Sequence, residues 1–342
     1  MESGRNFRRT RRLRRAAAAG ILLLGVSLGG DVRGHWPSRQ LPATTVGQTN
    51  PVVSSVCLHP TGQLIAAAGD DHLVRLWSVR EFKLVRQWSA HTDWVRSIAF
   101  SPTGTELATS GNDGRVLLWD ITTGTFLRTL AEHERPVAML RYSPDGRLMA
   151  TIGFADKLRV YEVATAAMLL ELDCPCRDMR SMGFSPDGRF LAAGGRNGKI
   201  KIWDLTTGQA VRQLEAHEQR IRALEFSPDG VYLISAGEDR VVRVWNMLDG
   251  QVFDLPPLPA KVLSLVFCGS ERVALGMSDN SIRFWDLPGR KELALLEGHA
   301  GSVSSLDYRG GMLVSGSFDT TIRVWDLSEA VAGKPSGGLG AR

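Results

Sequence analysis

From about residue 53 onward, the chain repeatedly alternates apolar and polar residues over six positions. Val95–Phe100 reads V-R-S-I-A-F, Ile221–Phe226 reads I-R-A-L-E-F, and similar runs recur along the chain. A period of two predicts a β-strand. A turn with proline and glycine follows most of these runs, as in Ser143-Pro-Asp-Gly146, because proline fixes φ and glycine accepts a left-handed conformation. The pattern therefore predicts a series of β-hairpins.

Each alternating run opens a unit of four strands whose third strand ends in an aromatic residue. The second strand is rich in small residues, as in Leu107–Gly111, an acid or amide stands in the next turn, and a more variable strand completes the unit. The aromatic residue recurs every 40 to 42 positions, at Trp77, Trp119, Tyr161, Trp203, Trp245, Trp285 and Trp325. Self-similarity at this period is typical of a radial array with one four-stranded sheet per unit. One such sheet cannot bury both of its faces, so neighbouring units must cover them.

The predicted fold is all-β, a seven-bladed β-propeller of four-stranded antiparallel blades that occupies residues 41–327. The seventh unit reaches only its third strand, Ile322–Trp325, before the chain leaves the pattern. Since an open ring would leave unpaired edges, we expect the upstream segment Leu41–Val46 to pair with that strand and close the ring. Residues 31–40 are predicted to be a linker and residues 328–342 a flexible tail.

Residues 1–30 form a separate leader. They carry seven arginines against one glutamate, and these are followed by the apolar stretch Ala16–Leu28. A positive segment before a short apolar one is typical of a secretory signal, and this stretch is shorter than the roughly 20 residues that span a bilayer. We expect export to the periplasm or the exterior. The alternatives are an uncleaved leader that anchors the chain in a membrane, an organellar transit peptide, or a cytoplasmic protein with a basic arm.

The leader also accounts for the basic character of the chain. The whole sequence has a formal charge of +5, of which the leader contributes +6, so that residues 31–342 together have −1. A body without a broad basic face is not expected to bind nucleic acid. We therefore expect a monomeric propeller whose partner is a protein or a peptide.

In the spacing of its units and in their motifs, the chain resembles the WD-repeat β-propeller family from about residue 41 to residue 327. A histidine opens four of the units, at His91, His133, His217 and His299. The resemblance implies a buried tetrad within a blade, formed by this histidine, a Ser or Thr of the second strand, the Asp of the next turn and the Trp. Three units keep all four residues, namely His91, Thr109, Asp113 and Trp119; His217, Ser235, Asp239 and Trp245; and His299, Ser315, Asp319 and Trp325. The other units depart from the tetrad, through Thr49, Ala67, Ala155, Tyr161, Pro175, Asn197, Leu258 and Leu275. Those blades are expected to depend more on apolar packing.

The tetrads contain the same residue types as a hydrolase triad. Their recurrence on interior strands, with no G-x-S-x-G elbow beside them, favours a structural role and a protein that is not an enzyme. Cys174-Pro-Cys176 lacks the further ligands of a zinc site. We therefore predict no metal, and an inert pair and a disulfide both remain open. Motifs for nucleotide or haem binding are missing from the sequence, and no cofactor is expected.

The resemblance also indicates which residues border the top face of the ring. Repeats four to six supply cations there, interrupted by Asp178 and Glu238, and other repeats supply aromatic residues. Arginine and aromatic residues are frequent interface anchors, although scattered arginines also occur on ordinary solvated surfaces. The candidate partner-binding residues are Trp94, Phe154, Arg180, Arg196, Arg220, Arg222, Lys261 and Phe318.

These features predict a non-catalytic protein–protein interaction platform, a WD-repeat scaffold that binds its partner on the top face. Rigid folds present function on their loops, and a propeller without a nucleophile has its loops to offer. One alternative is a propeller enzyme or small-ligand sensor that uses the central channel. Another is a structural component of an envelope complex.

Overall fold

Seven four-stranded antiparallel sheets make up the part of the chain that this computed structural model describes, residues 38–41 and 51–328. Six sheets contain four consecutive strands each, and the seventh combines the last three strands with the first. The predicted all-β, seven-bladed architecture is confirmed. The leader, the linker up to residue 37 and the tail beyond residue 328 lie outside the described residues.

The blades are numbered in chain order. Blade 1 comprises β2 (Val53–Leu58), β3 (Leu64–Gly69), β4 (Leu73–Ser78) and β5 (Lys83–Ser89). Blade 2 comprises β6 (Val95–Phe100), β7 (Glu106–Gly111), β8 (Arg115–Asp120) and β9 (Phe126–Glu132). Blade 3 comprises β10 (Val137–Tyr142), β11 (Leu148–Gly153), β12 (Lys157–Glu162) and β13 (Met168–Asp173). Blades 4 and 5 comprise β14 (Met179–Phe184), β15 (Phe190–Gly195), β16 (Lys199–Asp204), β17 (Gln209–Glu215); and β18 (Ile221–Phe226), β19 (Tyr232–Gly237), β20 (Val242–Asn246), β21 (Val252–Asp254). Blades 6 and 7 comprise β22 (Val262–Phe267), β23 (Arg272–Met277), β24 (Ile282–Asp286), β25 (Lys291–Leu296); and β26 (Val303–Arg309), β27 (Met312–Ser317), β28 (Ile322–Asp326) with β1 (Ser38–Leu41).

An N-terminal strand closes the ring, as predicted, but its bounds differ from the prediction. The closing strand is Ser38–Leu41, with Ser38 opposite Trp325 and Leu41 opposite Ile322. The described strand therefore begins three residues before the predicted segment Leu41–Val46, of which residues 42–46 lie outside the described part of the chain, and residues 38–40 belong to the propeller rather than to the linker. The physical reason is that backbone pairing with Ile322–Trp325 defines this edge strand, while Ser38, Arg39 and Gln40 give it no apolar signal in the sequence.

Apolar side chains hold each blade to its neighbours, with one buried cluster between each pair of adjacent blades. Between blades 1 and 2, for example, Val74 and Leu76 pack with Val95 and Ile98, and each is at most 5% exposed. The small residues of the second strand, such as Ala66, are also buried and let the sheets come close together. Burying one side chain of the size of leucine stabilises the fold by about 1.5–3 kcal/mol, so the blades stabilise one another around the ring.

The Ser-Pro-Asp-Gly turns follow directly from their residues. Gly146 has φ of 75°, and its N–H donates to the carbonyl of Ser143 at 2.9 Å. The Ser143 hydroxyl donates to Asp145 at 2.6 Å and accepts the N–H of Leu148 at 2.9 Å. The side chains thus fix the hairpin locally. The described residues, 38–41 and 51–328, include no helix with the length and hydrophobicity that a bilayer-spanning segment requires.

Candidate functional site

A bulge in every inner strand turns one side chain toward the central channel. In blade 2, Val95 faces Gly111 and Ser97 faces Ser110, so the ladder skips Arg96. Bulges re-aim side chains and are frequent beside functional sites. The residues skipped in blades 1 to 7 are Ser54, Arg96, Ala138, Arg180, Arg222, Leu263 and Ser304. They line the channel near the end at which the inner strands begin, which we call the channel mouth.

Three arginines and two acids form an ion network along the mouth from blade 4 to blade 5. Asp178 pairs with Arg180 and, at 2.8 Å, with Arg220. Glu238 pairs with Arg220 at 3.3 Å and with Arg222 at 2.6 Å. Burial raises the pKa of Glu238, but the hydrogen bond and the positive charge of Arg222 outweigh it, so that this pKa lies below its ordinary value. The acids hold the arginines in place and leave the network with a net positive charge.

Two of the mouth arginines are stacked on aromatic rings. The guanidinium carbon of Arg96 lies 3.9 Å from the ring centroid of Trp94, and that of Arg180 lies 4.3 Å from the ring centroid of Phe154. Arg96 also donates to the side-chain oxygen of Asn112 at 2.7 Å. Such contacts contribute about 0.5–2 kcal/mol each. The two aromatic residues therefore support the arginines, whereas the sequence suggested that they stand apart from the cationic sector.

The remaining candidate residues lie at the edge of this network. Lys261 is exposed, with its Nζ 3.6 Å from Glu238. Arg196 is exposed in blade 4. Phe318 belongs to blade 7, lines the mouth and is 49% exposed, which is unusual for a phenylalanine. Seven of the eight candidates are thus brought to one end of the channel, and Arg196 adjoins them through its backbone N–H, which donates to the carbonyl of Asp178 at 3.3 Å.

A second charged level lies deeper in the channel and was missed from the sequence. In six blades the residue three positions after the bulge also lines the channel, and in three of them it is charged, namely Arg141, Glu225 and Asp307. Burial raises the pKa of Glu225 to about 7 against the opposing charge of Arg141, and burial raises that of Asp307 as well. The sequence does contain a sign of this second level, because the fifth residue of the inner strand is charged in these three units.

The tetrad residues are brought together within blades 2, 5 and 7. In blade 2, Trp119 Nε1–H donates to the Thr109 hydroxyl at 3.0 Å, which lies 2.7 Å from His91 Nε2, and His91 Nδ1 lies 2.9 Å from Asp113. Because the tryptophan can only donate, the hydroxyl proton points to Nε2 and the histidine proton points to the aspartate. The same chain of contacts joins His217, Ser235, Asp239 and Trp245 in blade 5 and His299, Ser315, Asp319 and Trp325 in blade 7.

Blade 3 builds a different network around its histidine. Arg159 donates to His133 Nδ1 at 3.0 Å, since Ala155 offers no carboxylate. His133 Nε2 then carries the proton and faces the Thr151 hydroxyl at 3.3 Å, with the Tyr161 hydroxyl at 3.5 Å. The direction of the hydrogen bonds is reversed relative to the tetrads. Burial, followed by the charge of Arg159, lowers the pKa of His133 to about 4.

Blades 1 and 6 lack the hydroxyl and replace the tetrad with ion pairs. Nε1 of Trp77 and of Trp285 is buried and has no hydrogen-bond partner among the described residues. In blade 1, Arg75 pairs with Asp71 at 2.5 Å, and in blade 6, Arg283 pairs with an outer-strand glutamate at 2.7 Å. Blade 1 therefore combines apolar packing with an ion pair between a strand and its preceding turn, and blade 6 with an ion pair between two strands.

The two cysteines of the blade 3–4 loop are not joined by a disulfide and pack against apolar residues. Cys174 and Cys176 are free and contact the apolar cluster between the two blades. The Cys176 thiol lies 3.7 Å from the sulfur of Met179. Burial, with a smaller contribution from Cys176, raises the pKa of Cys174 to about 12. A thiol of this kind is a weak nucleophile and packs as a small apolar group.

Comparison with known proteins agrees with the propeller fold. Residues 52–293 match the family model described as IFT122 first beta-propeller, and residues 290–326 match the model described as WD domain, G-beta repeat. Among curated proteins, a stretch of 74 residues is 45% identical to F-box/WD repeat-containing protein sel-10 of Caenorhabditis elegans and covers 20% of this chain and 12% of that protein.

Two further relatives show similarity of the same extent. A stretch of 58 residues is 48% identical to Cell division control protein 4 of Saccharomyces cerevisiae, covering 17% of this chain and 7% of that protein. A stretch of 52 residues is 46% identical to Mitochondrial division protein 1 of Neurospora crassa, covering 15% of this chain and 8% of that protein. The matched stretches span about a tenth of the length of these relatives. Because one family model spans well over half of the chain and the structure has seven four-stranded blades, the chain belongs to the WD-repeat β-propeller family.

Proposed function

We propose that this protein is a non-catalytic platform that binds a protein or peptide partner at the channel mouth. The observation that carries the proposal is the set of arginines held in fixed positions by acids and aromatic rings. Arg180 is fixed by both Asp178 and Phe154, and Arg96 by Trp94. Preorganised arginines lose little side-chain entropy on binding, which is why arginine is frequent among the residues that dominate interface energies.

The charge of the mouth favours a partner segment that carries carboxylates. The ion network contains more cations than acids, and Lys261 and Arg196 add exposed positive charge at its edge. Phe318, on the opposite side of the opening, offers an apolar contact. An acidic segment that includes an apolar side chain would satisfy both halves of the mouth. Such a complex should weaken as salt is added, since exposed charges are screened within about 10 Å at 0.1 M.

The tetrads support a non-catalytic function. Thr109, Ser235 and Ser315 are completely buried, and each hydroxyl already has both a histidine and a tryptophan partner. A nucleophile has to reach its substrate, and these hydroxyls lie inside sheets. A fully bonded network of this kind stiffens the blade instead.

Export is proposed on the sequence of the leader alone. The arginines of residues 5–15 followed by Ala16–Leu28 favour a secretory signal. In that case the platform would act outside the cytoplasm. Fractionation of cells that produce the full chain, with N-terminal sequencing of the product, tests this part separately.

Binding at the mouth is tested by capture of partners from an extract of the native organism with the full chain as bait. The test variant carries Arg196→Glu and Lys261→Glu, and the matched control carries Lys83→Glu and Arg212→Glu on outer strands. All four residues are exposed, so both variants should fold. Partners that are lost with the test variant and kept with the control would support the proposal. Retention of every partner by the test variant would contradict it.

A further inference from the structure

The central channel is a cavity with opposite charge at its two levels. Its volume is about 670 Å³, which lies within the range of small-molecule sites, about 300–1,000 Å³. The upper level carries the guanidinium groups of Arg96, Arg180 and Arg222, and the lower level carries two carboxylates and one guanidinium. The levels are three residues apart along each inner strand, or about 10 Å at 3.3 Å per residue.

At the lower level, Arg141, Glu225 and Asp307 project from blades 3, 5 and 7, which lie two or three positions apart around the ring. None of these three charged side chains forms an ion pair with another described residue within 4.0 Å. Asp307 is nevertheless satisfied, because its carboxylate accepts the backbone N–H groups of Leu58 at 2.6 Å and Tyr308 at 2.8 Å.

The other two lower groups keep open bonding capacity. Oε2 of Glu225 is without a hydrogen-bond partner among the described residues, and a carboxylate oxygen left in this way costs free energy that a donor would recover. Arg141 is exposed to the channel. Two carboxylates against one guanidinium give this level a net negative charge.

At the upper level, the three arginines are close enough to repel one another. Burial and then the charge of Arg180 lower the pKa of Arg96, and burial together with Arg222 lowers that of Arg180 against the attraction of Asp178. Arg96 has the neutral Asn112 as its hydrogen-bond partner instead of an acid. An anionic group between these guanidinium groups would relieve the repulsion.

We propose that the channel binds a slender molecule with an anionic group at one end, held by Arg96, Arg180 and Arg222, and a protonated amine at the other end, held by Glu225. A dicarboxylate would place its second charge beside Glu225 and Asp307. A diamine would place one ammonium among the three arginines. The polarity of the channel therefore selects for a molecule with unlike ends. The anionic end of this site uses arginines that also belong to the partner surface at the mouth, whereas Glu225 lies deeper in the channel and belongs to this site alone.

The test measures binding of linear ω-amino acids, from aminobutyrate to aminodecanoate, to the full chain by isothermal titration calorimetry at pH 8. This pH is above the pKa of about 7 for Glu225, so the carboxylate is ionised. Affinity should peak for the ω-amino acid whose charged ends are about 10 Å apart. It should exceed the affinity for the dicarboxylate and for the diamine of the same length by roughly tenfold or more, since each of these would replace a charge-assisted hydrogen bond with a repulsion between like charges.

Two variants and one control complete the test. Glu225→Gln keeps the shape of the side chain and should weaken the ω-amino acid by about tenfold while leaving the dicarboxylate unchanged or tighter. Arg141→Gln, at an exposed position, should tighten the ω-amino acid because the lower level becomes more negative. Arg212→Gln on an outer strand should change neither. The proposal is overturned if no member of the series binds, if the dicarboxylate binds as tightly, or if neither channel variant changes the affinity.

Discussion

Removal of one tetrad carboxylate should cost much more stability than removal of the carboxylate at the corresponding turn of a blade without a tetrad. Asp239 in blade 5 accepts His217 Nδ1–H at 2.9 Å, the backbone N–H of Glu218 at 3.3 Å and that of Val241 at 3.2 Å. Asp279 in blade 6 accepts mainly from Ser281, through its hydroxyl at 2.6 Å and its N–H at 3.2 Å.

The magnitude follows from what each deletion leaves behind. Asp239→Ala leaves the His217 ring, whose side chain is 0% exposed, with an N–H that nothing accepts, and a buried unsatisfied donor costs about 1–3 kcal/mol. Two backbone N–H groups nearer the surface lose an acceptor that water can partly replace. The total for Asp239→Ala is about 2–4 kcal/mol, whereas Asp279→Ala, which removes turn contacts and a 4.0 Å ion pair with Arg283, should cost about 0.5–1.5 kcal/mol.

Thermal unfolding at pH 7 is the assay, with both variants heated at the same rate as the unchanged chain. At about 2 °C per kcal/mol for a chain of this size, Asp239→Ala should unfold about 4–8 °C earlier and Asp279→Ala about 1–3 °C earlier. A double variant with His217→Leu should lose less than the sum of the two single changes, because the orphaned donor disappears. Equal shifts for the two aspartate variants, or strictly additive losses with His217→Leu, would show that the tetrad does not act as a unit.

Two further outcomes follow from the structure. First, His133 has a pKa of about 4 in the folded chain and about 6.5 when unfolded, so the unfolded state binds the proton first and stability should fall by about 2.5 kcal/mol as the pH drops from 6.5 to 4. His133→Gln should flatten this slope in urea titrations, and an unchanged slope would exclude His133 as its source. Second, a chain that lacks residues 1–41 should melt well below one that lacks residues 1–37, because only the former loses β1; equal melting temperatures would mean that the Ser38–Leu41 strand does not contribute to closure.

The architecture was readable from the sequence because the repeat displays the same residue types at the same positions. The recurring aromatic residue marks the third strand, and Ser-Pro-Asp-Gly marks the first hairpin, so that strand number and order follow directly. The closing strand was predicted by the same reasoning, because the seventh unit has no fourth strand after Ile322–Asp326. Its bounds were missed because Leu41–Val46 was assigned from its position relative to the first repeat, while Ser38, Arg39 and Gln40 carry no apolar residue that would mark them as a strand.

The site was less readable, because bulges and long-range side-chain contacts determine it. A strict period of two would place apolar residues at the first, third and fifth positions of an inner strand. In blade 2 the buried apolar residues are instead Val95, Ile98 and Phe100, at the first, fourth and sixth positions. This spacing arises because the strand contains one extra residue, Arg96, and a sequence with this spacing therefore predicts a bulge. The contact between Arg159 and His133 has no such trace, since it depends on Ala155 leaving room.

The bulge also explains how one repeat serves both stability and recognition. In blade 5, Ile221, Leu224 and Phe226 are buried between blades, and Ser235 and His217 hold the sheet from within. None of these positions faces the channel at the bulge. The bulge residue therefore lies outside the apolar packing between blades, and it is serine, alanine, leucine or arginine in different blades of the same ring. Substitution of the alanine bulge residue, Ala138, should consequently change what the channel mouth binds at little cost in stability, whereas the first, fourth and sixth positions of the strand tolerate only apolar residues of similar volume.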